Sequence, residues 1–228
     1  MNYLLKKLRK LWKGLLVLLG LRKKRKEPPM WQHAEEFLRR YPATKDKTLV
    51  SIDRCFMLWQ LARHAATLPG DFAEIGVYQG GTAHLVAGAC PGKTLHLFDT
   101  FGGMPVSDPS IDHHVAGDFD DTSLESVQAY LSDCPNVVFH PGLFPETARG
   151  LEDLRFAYVY VDVDIYRSVR DCLEFFYPRM VPGGVLVLDD YEWPHCEGVK
   201  VALTEFMADK PEVPIITARY QCTVIRQP

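Results

Sequence analysis

The sequence predicts an α/β fold in which helices cover both faces of a largely parallel β-sheet. After residue 70, short apolar runs alternate with helical stretches to the end of the chain. Strands separated by helices are joined by right-handed crossovers and pair in parallel. The 228 residues, with 47% hydrophobic and 24% charged side chains, suffice for one sizeable core and exclude collagen-like, wholly disordered and disulfide-scaffold chains.

The first 29 residues form an arm and linker whose charge opposes that of the body. Residues 1–26 hold ten basic side chains and no acidic one, whereas residues 27–228 hold 16 basic and 29 acidic side chains, a formal charge of −13. An acidic body repels polyphosphate, so we expect no nucleic-acid partner. Leucines and Trp12 recur every three or four residues among the cations of residues 3–21, which predicts a basic amphipathic helix. Pro28 and Pro29 follow it and stiffen the linker.

We expect residues 3–26 to lie on an anionic membrane surface. The longest uncharged run, residues 14–21, has eight residues, whereas a bilayer span takes about 20. The polybasic run after it argues against a cleaved secretory signal, and the pattern is that of an interfacial helix. Packing of the leucines on the body or a second subunit, or binding of the arm to nucleic acid, are the alternatives.

The six cysteines, scattered along the sequence, indicate the cellular compartment of the protein. They form no C-x-x-C motif and show no tight cysteine and histidine spacing, so we expect reduced thiols and no zinc site. This pattern is typical of a cytoplasmic protein, which would sit at the inner face of the membrane if the arm binds there.

The elements of the body, residues 30–228, follow in order. Residues 30–68 are predicted to be helical, with Ser51 as a capping residue. The predicted strands are 72–77, 94–100, 136–142, 156–164 and 185–191, then a hairpin turning near Tyr220 that adds an antiparallel strand; the predicted helices are 80–90, 122–133, 166–180 and 198–209. Thr122 and Glu125 match a capping box. Residues 101–121 hold few core residues, five aspartates and a glycine pair, and we expect a lid there.

The loops after the strands should share one ligand cleft, because ligands bind beyond the carboxyl ends of such strands. The first strand leads into EIGVYQGGT, residues 74–82, whose glycines allow a ligand to approach the backbone closely. This is not the G-x-G-x-x-G dinucleotide fingerprint, which argues against NAD. The second strand ends at Asp99, which can accept hydrogen bonds from ribose hydroxyls; a helix cap or a solvated loop residue is the alternative.

Four carboxylates follow two further strands, Asp162 and Asp164 in YVDVDIY and Asp189 and Asp190 in VLVLDDY. Burying acids at strand ends is costly unless positive charge is present. The sequence shows no nearby run of lysine or arginine, so oxygen ligands in this number predict a hard divalent cation, Mg²⁺ first. Solvated acids that cap the following helices are the alternative.

Six blocks resemble, in order and spacing, the macrocin-type sugar O-methyltransferases, class I S-adenosylmethionine enzymes that tailor macrolide and aminocoumarin deoxysugars. The blocks, within residues 50–228, are DFAEIGVYQGGTA, LFDTFGGMP, DFDDTSLESV, HPGLFPET, YVDVDIYRSVRDCLEFFYPRMVPGGVLVLDDY and EGVKVALTEF. The resemblance implies a Rossmann-like class I methyltransferase sheet of seven strands, the last antiparallel. It also implies that Glu74, Gly76, Gly80 and Thr82 line the methionine end of the cofactor, that Asp99 holds the ribose and that the Gly142 loop borders the adenine. Asp162, Asp189 and Asp190 would hold Mg²⁺, and a homodimer is an expectation at family level.

The predicted reaction is Mg²⁺-dependent transfer of a methyl group to a hydroxyl of a sugar or glycan-like acceptor. A sugar hydroxyl is a poor nucleophile, so a base must remove its proton. Asp162 or Asp164 is our candidate, with His195, His113 and His114 as rivals. A basic arm is not expected of soluble tailoring enzymes, which suggests a lipid-linked or membrane-associated acceptor. The alternatives are a non-catalytic, cofactor-binding regulatory module and a metal-dependent hydrolase that uses the same aspartates.

Overall fold

The computed structural model describes Lys7, Leu11, Trp12, Leu15 and residues 28–228. The four arm residues are helical and exposed, with 66% of Leu11, 66% of Trp12 and 51% of Leu15 accessible to solvent. The rest of the predicted amphipathic helix, and the polybasic run after it, lie outside the described residues. Among the residues that are described, no helix combines the length and apolarity needed to cross a bilayer.

The body is built on a sheet that, within residues 28–228, has seven strands in the order β3-β2-β1-β4-β5-β7-β6. The strands are β1 Asp71–Ile75, β2 Leu95–Asp99, β3 Val137–Pro141, β4 Phe156–Val161, β5 Met180–Leu188, β6 Ile215–Ala218 and β7 Gln221–Ile225. The first five pair in parallel, and β7 is antiparallel to both β5 and β6. Tyr220, with φ of +64°, makes the turn between β6 and β7. The predicted sheet and its terminal hairpin are thus confirmed.

Helices cover both faces of this sheet, as predicted. They are α1 Glu35–Thr44, α2 Ile52–Ala65, α3 Gly81–Ala89, α4 Leu124–Tyr130, α5 Tyr166–Phe176 and α6 Glu197–Met207, with short 3-10 helices at Met30–His33, Glu146–Ala148 and Tyr177–Arg179. One core cluster joins α1, α2 and α3 to one face of the central strands, and a second joins α5 and α6 to the other. Alternate residues of a strand point to opposite faces, so Tyr158 and Tyr160 belong to the first cluster and Val159 and Val161 to the second.

Several predicted boundaries differ from the structure by a few residues, and two of these differences have clear local reasons. Helix α4 begins after Ser123, not at Thr122: Ser123 and Ser126 form the capping box, while the Thr122 hydroxyl donates to the Tyr78 carbonyl at 2.6 Å. Strand β5 begins at Met180, five residues before the predicted start, because a register shift against β4 accommodates the Pro182-Gly183-Gly184 segment.

The segment 101–121 has no regular secondary structure, but hydrogen bonds order it. Met104 N donates to the Asp118 carbonyl at 2.7 Å, and Gly117 N donates to the Met104 carbonyl at 2.9 Å. The buried Asp112 accepts a hydrogen bond from the backbone N–H of Tyr166, the first residue of α5, at 2.9 Å. These contacts fold the segment back over the carboxyl ends of the strands.

Candidate active site

A cavity of about 1060 Å³, part of it open to solvent, lies beyond the carboxyl ends of β1, β2, β4 and β5. This is the edge at which ligands bind in sheets of this kind. Seven of the nine predicted cofactor or metal residues line it together with the predicted base Asp164. The residues of that set are Gly76, Thr82, Asp99, Gly142, Asp162, Asp164, Asp189 and Asp190. The loop 101–121 contributes Met104, Pro105 and Phe119 to the wall.

The glycine turn after β1 brings the backbone close to β4. Gly76 has φ of +86°, and a Cβ at this position would overlap the carbonyl oxygen of Asp162. Only glycine therefore fits here. Gly80, also at φ of +86°, lies at the start of α3, where a Cβ would meet Val127 and Tyr130 of α4, so its contacts are with the fold and not with the cavity.

Glu74 lies behind the cavity wall and is fully buried on β1. One carboxylate oxygen accepts a hydrogen bond from the Thr82 hydroxyl at 2.7 Å, while the other, Oε2, has no partner among the described residues. Burial raises the pKa of Glu74 to about 8. A buried carboxylate oxygen without a partner is rare in native proteins and indicates a role for a bound group that donates to it.

Asp99, at the end of β2, accepts hydrogen bonds from the backbone of the surrounding loops. Its Oδ2 accepts from the backbone N–H groups of Val77 at 2.6 Å and Tyr78 at 2.9 Å, and its Oδ1 accepts from Phe101 N at 2.7 Å. Two carboxylate oxygens offer about four acceptor positions, so Asp99 retains capacity for one further donor. Gly142, with φ of +125°, lies beside it, and its N–H donates to the Asp99 carbonyl at 2.8 Å.

The predicted acid cluster is assembled at the ends of β4 and β5. Carboxylate oxygens of Asp162, Asp189 and Asp190 lie within 4.8 Å of one another. Burial and the neighbouring negative charges raise the pKa of Asp162 well above its ordinary value, and raise that of Asp164 to about 7. Asp164 and Asp190 both have positive φ, 58° and 52°. Such strained backbone conformations concentrate at functional sites.

Arg54, the third residue of α2, also reaches this cluster, and the sequence analysis missed it. Its Nη1 lies 2.5 Å from Asp189 Oδ2 and 3.2 Å from Asp190 Oδ1. The sequence has no run of basic residues near the acids, and the cation that the fold supplies comes from 135 residues earlier in the chain. Even with Arg54 present, burial raises the pKa of Asp189 to about 7.

The three histidines proposed as rival bases lie on the rim. His195 is exposed, is not among the cavity-lining residues that the structure describes, and packs edge-on against His113 with ring centroids 5.6 Å apart. His114 Nδ1 lies 2.9 Å from Asp118 Oδ2, and one of its ring nitrogens lies within 4.8 Å of ligand atoms of Asp164 and Cys196. Of the three, His114 is thus the one that the loop 101–121 brings to the acid cluster.

All six cysteines belong to the described part of the chain and are free and buried. Burial raises the pKa of the Cys55 thiol to about 12, and that of Cys90 and Cys134 to about 11. These thiols are therefore protonated at neutral pH and unreactive.

Comparison with known proteins identifies the family of this chain. The chain matches the family model Macrocin-O-methyltransferase (TylF) over residues 41–227, nine residues earlier than the resemblance in the sequence began. It is 30% identical over 185 residues to Mycinamicin III 3''-O-methyltransferase from Micromonospora griseorubida, with 72% of each chain covered. It is 33% identical over 147 residues to 8-demethyl-8-(2,3-dimethoxy-alpha-L-rhamnosyl)-tetracenomycin-C 4'-O-methyltransferase from Streptomyces olivaceus, which covers 57% of this chain and only 56% of that relative.

The solved structure of the O-methyltransferase NovP superposes with a TM-score of 0.72 at 26% identity, covering 80% of this chain and 83% of that one. The region that matches the family model, residues 41–227, includes the whole sheet and every residue that lines the cavity. The chain therefore belongs to the Macrocin-O-methyltransferase (TylF) family, a family of S-adenosylmethionine-dependent O-methyltransferases.

Proposed function

We propose that this protein transfers a methyl group from S-adenosylmethionine to a hydroxyl of a sugar or glycan-like acceptor, with Mg²⁺ at the acid cluster. The observation that carries the proposal is one continuous cavity with two chemically different ends. The glycine turn, Asp99 and Gly142 bound one end, and Asp162, Asp164, Asp189 and Asp190 bound the other. Two relatives, named as methyltransferases of a rhamnosyl-bearing tetracenomycin and of mycinamicin III, support this class of acceptor.

The first end of the cavity fits the cofactor. The unpartnered Oε2 of Glu74 accepts from a buried ammonium such as that of the methionine part, and Gly76 leaves the backbone open to a ligand. Thr82 fixes the Glu74 carboxylate through its hydroxyl. Asp99 retains acceptor capacity for a ribose hydroxyl, and Gly142 stands next to it at the place proposed for the adenine. Gly80 supports this end by shaping the start of α3.

The second end fits a divalent cation. Among the residues that the structure describes, four carboxyl groups meet one guanidinium, and the pKa of Asp162, Asp164 and Asp189 stays raised by burial despite that cation. The cluster is therefore short of positive charge, and oxygen ligands suit Mg²⁺. Asp162, Asp189 and Asp190 would hold the ion, which when bound polarises an acceptor hydroxyl and lowers its pKa.

The chain's own residues then remove the proton and exclude water. Asp164 is the best-placed base, because it lines the cavity and its raised pKa of about 7 makes it a proton acceptor near neutral pH. Asp162 is a weaker candidate because Tyr160 already donates to its Oδ2 at 2.8 Å. Met104, Pro105 and Phe119 of the proposed lid close the cavity with apolar surface, which favours alignment of the hydroxyl with the methyl group.

The arm supports a second part of the proposal, that the acceptor is lipid-linked or membrane-associated. Leu11, Trp12 and Leu15 are exposed on helical backbone, within a segment that holds ten basic and no acidic side chains. This combination binds anionic lipid surfaces. Deletion of residues 1–26 should abolish cosedimentation with vesicles that contain anionic lipid, and unchanged sedimentation would contradict this part.

Calorimetry followed by methyl transfer tests the reaction. We expect S-adenosylmethionine to bind, and labelled methyl to reach a sugar-bearing or lipid-linked glycan acceptor only with Mg²⁺. Asp189→Asn should lower this turnover at least about a hundredfold, whereas Asp209→Asn, which lies on the surface after α6, should not. Failure to bind the cofactor would favour a metal-dependent hydrolase. Binding without turnover across the acceptor panel would favour a regulatory module, and turnover without metal would remove Mg²⁺ from the proposal.

A further inference from the structure

Arg54 occupies oxygens that the proposed metal would need. We infer that its guanidinium is an internal counter-cation, which holds the Asp189 and Asp190 carboxylates together in the metal-free enzyme and gives them up when the divalent cation binds. Arg54 would thereby set the metal affinity of the site. This inference rests on the proposed function, because it concerns the same acid cluster.

The hydrogen bonds of Asp189 carry the argument. Its Oδ2 lies 2.5 Å from Arg54 Nη1, and its Oδ1 accepts from Gln221 Nε2 at 3.2 Å. Both oxygens of this buried carboxylate are therefore engaged, and the same Nη1 also lies 3.2 Å from Asp190 Oδ1. A cation that ligates Asp189 and Asp190 together must approach the atoms that Arg54 now contacts.

Electrostatic repulsion opposes the presence of both cations, the divalent ion and the Arg54 guanidinium, at the same carboxylates. A divalent ion and a guanidinium at neighbouring positions repel each other, and this repulsion is strong where little water screens it. Only 13% of the Arg54 side chain and 1% of the Asp189 side chain are exposed. Arg54 also lines the cavity, so its side chain has space to move into once the ion has taken the two carboxylates.

Arg54 comes from a different element of the fold than the acids that would bind the metal. It lies on the first turn of α2, whereas the acids follow β5, so the side chain is held by a helix that the metal does not contact. Removing its charge should leave the acid geometry supported by Gln221 and by the Tyr160 hydroxyl, which donates to Asp162. The metal would then meet a more negative cluster and bind more tightly.

Binding of Mn²⁺, followed by the loss of the free-ion electron paramagnetic resonance signal, tests the inference without any acceptor. We expect Arg54→Met to bind Mn²⁺ at least about tenfold more tightly than the natural protein. Arg54→Lys keeps a charge but contacts fewer oxygens, so its affinity for Mn²⁺ should lie between those of Arg54→Met and the natural protein. Arg63→Met is the matched control, since Arg63 is on the outer face of the same helix against Trp59 and Glu36; its affinity should not change.

Thermal unfolding gives a second measurement on the same proteins. Arg54→Met should melt lower than the natural protein without metal and show the larger rise in Tm on addition of Mn²⁺. Equal or weaker Mn²⁺ binding by both Arg54 variants would overturn the inference while leaving the metal site in place. If the natural protein binds no Mn²⁺, or Asp189→Asn binds it equally well, then the metal proposal itself fails and the inference with it.

Discussion

Gly76 is the residue at which the two ends of the cavity meet. It follows the strand that leads into the glycine turn, and its missing side chain lets the turn lie against the backbone of Asp162, a proposed metal ligand. In the proposed function, this one residue would thus control both the approach of the cofactor and the position of the backbone that follows β4. Glu74 lies two residues earlier, and its buried Oε2, which has no partner within the described part of the chain, is the proposed acceptor for the cofactor.

Replacement of Gly76 by alanine should therefore damage stability and cofactor binding together. The new Cβ would collide with the Asp162 carbonyl, and the φ of +86° disfavours any L side chain. We expect a loss of at least about 2 kcal/mol in the free energy of unfolding and no measurable binding of S-adenosylmethionine. Gly92→Ala is the control, because nothing lies within 4 Å of a Cβ there. Chemical denaturation and calorimetry would measure both; normal cofactor binding by Gly76→Ala would contradict the proposed position of the cofactor.

Glu74 should make the stability of the ligand-free protein fall as pH rises. Its pKa is raised to about 8 in the fold, mainly by burial, so the folded state keeps a proton that the unfolded state loses above about pH 4.5. Between about pH 4.5 and pH 8 the free energy of unfolding should therefore fall progressively, by at least about 1 kcal/mol in total. Glu74→Gln should remove this component, while Glu125→Gln, which is exposed on α4, should keep it. Parallel pH profiles for the natural protein and Glu74→Gln would show that Glu74 is not the source.

At the scale of elements, the loop 101–121 is joined to the body by a helix N-terminus. The residue before α5 is Ile165, which cannot cap a helix, and Asp112 from the loop supplies the acceptor for Tyr166 N instead. Asp112 also accepts weakly from Asp108 N at 3.3 Å, which folds the loop around it. The start of α5 and the wall of the cavity are thus linked by one buried carboxylate.

Asp112→Ala should loosen this loop and weaken α5. Loss of a capping carboxylate costs about 1 kcal/mol, and we expect faster proteolytic cleavage within residues 101–121. Asp120→Asn, an exposed change in the same loop, should leave both properties unchanged. Protection of this loop from cleavage on binding of S-adenosylmethionine would support its role as a lid. Equal cleavage of Asp112→Ala and Asp120→Asn would show that Asp112 does not hold the loop.

The order of the elements was predictable because it depends on local patterns. The apolar runs of β1 and β4 and the helical periodicity between strands identify a parallel sheet, and parallel strands bring Asp99, Asp162 and Asp189 to one edge. Arg54 and Asp112 were not predictable as site residues. Each depends on a contact across the tertiary structure, 135 residues long for Arg54 to Asp189 and 54 for Asp112 to Tyr166. The roles of Ser123 and Thr122 were exchanged because either hydroxyl can cap, and the Tyr78 carbonyl, distant in sequence, decides between them.

At the scale of the whole molecule, charge divides the chain into two parts. The body carries a formal charge of −13, to which the acid cluster and the loop 101–121 contribute, and the arm carries ten basic side chains. An anionic membrane would attract the arm and repel the body, so the protein should adopt a preferred orientation on the surface. Salt should weaken the attraction, whereas insertion of Leu11, Trp12 and Leu15 should depend little on salt.

Two arm variants separate these contributions. Replacing Arg22, Lys23, Lys24, Arg25 and Lys26 by glutamine removes half of the arm's charge and leaves Leu11, Trp12 and Leu15 in place. Since each basic residue near an anionic surface contributes about 1 kcal/mol, binding to anionic vesicles at low salt should fall by more than about a hundredfold. Trp12→Ser with Leu15→Ser keeps every charge, so its residual binding should be strongly salt-dependent. Cosedimentation across a salt series measures both, with turnover of a water-soluble acceptor as the control for an intact body. If both variants bound as tightly as the natural protein at every salt concentration, neither the charges nor the apolar side chains of the arm would carry the binding, and the arm would no longer support a membrane-associated acceptor.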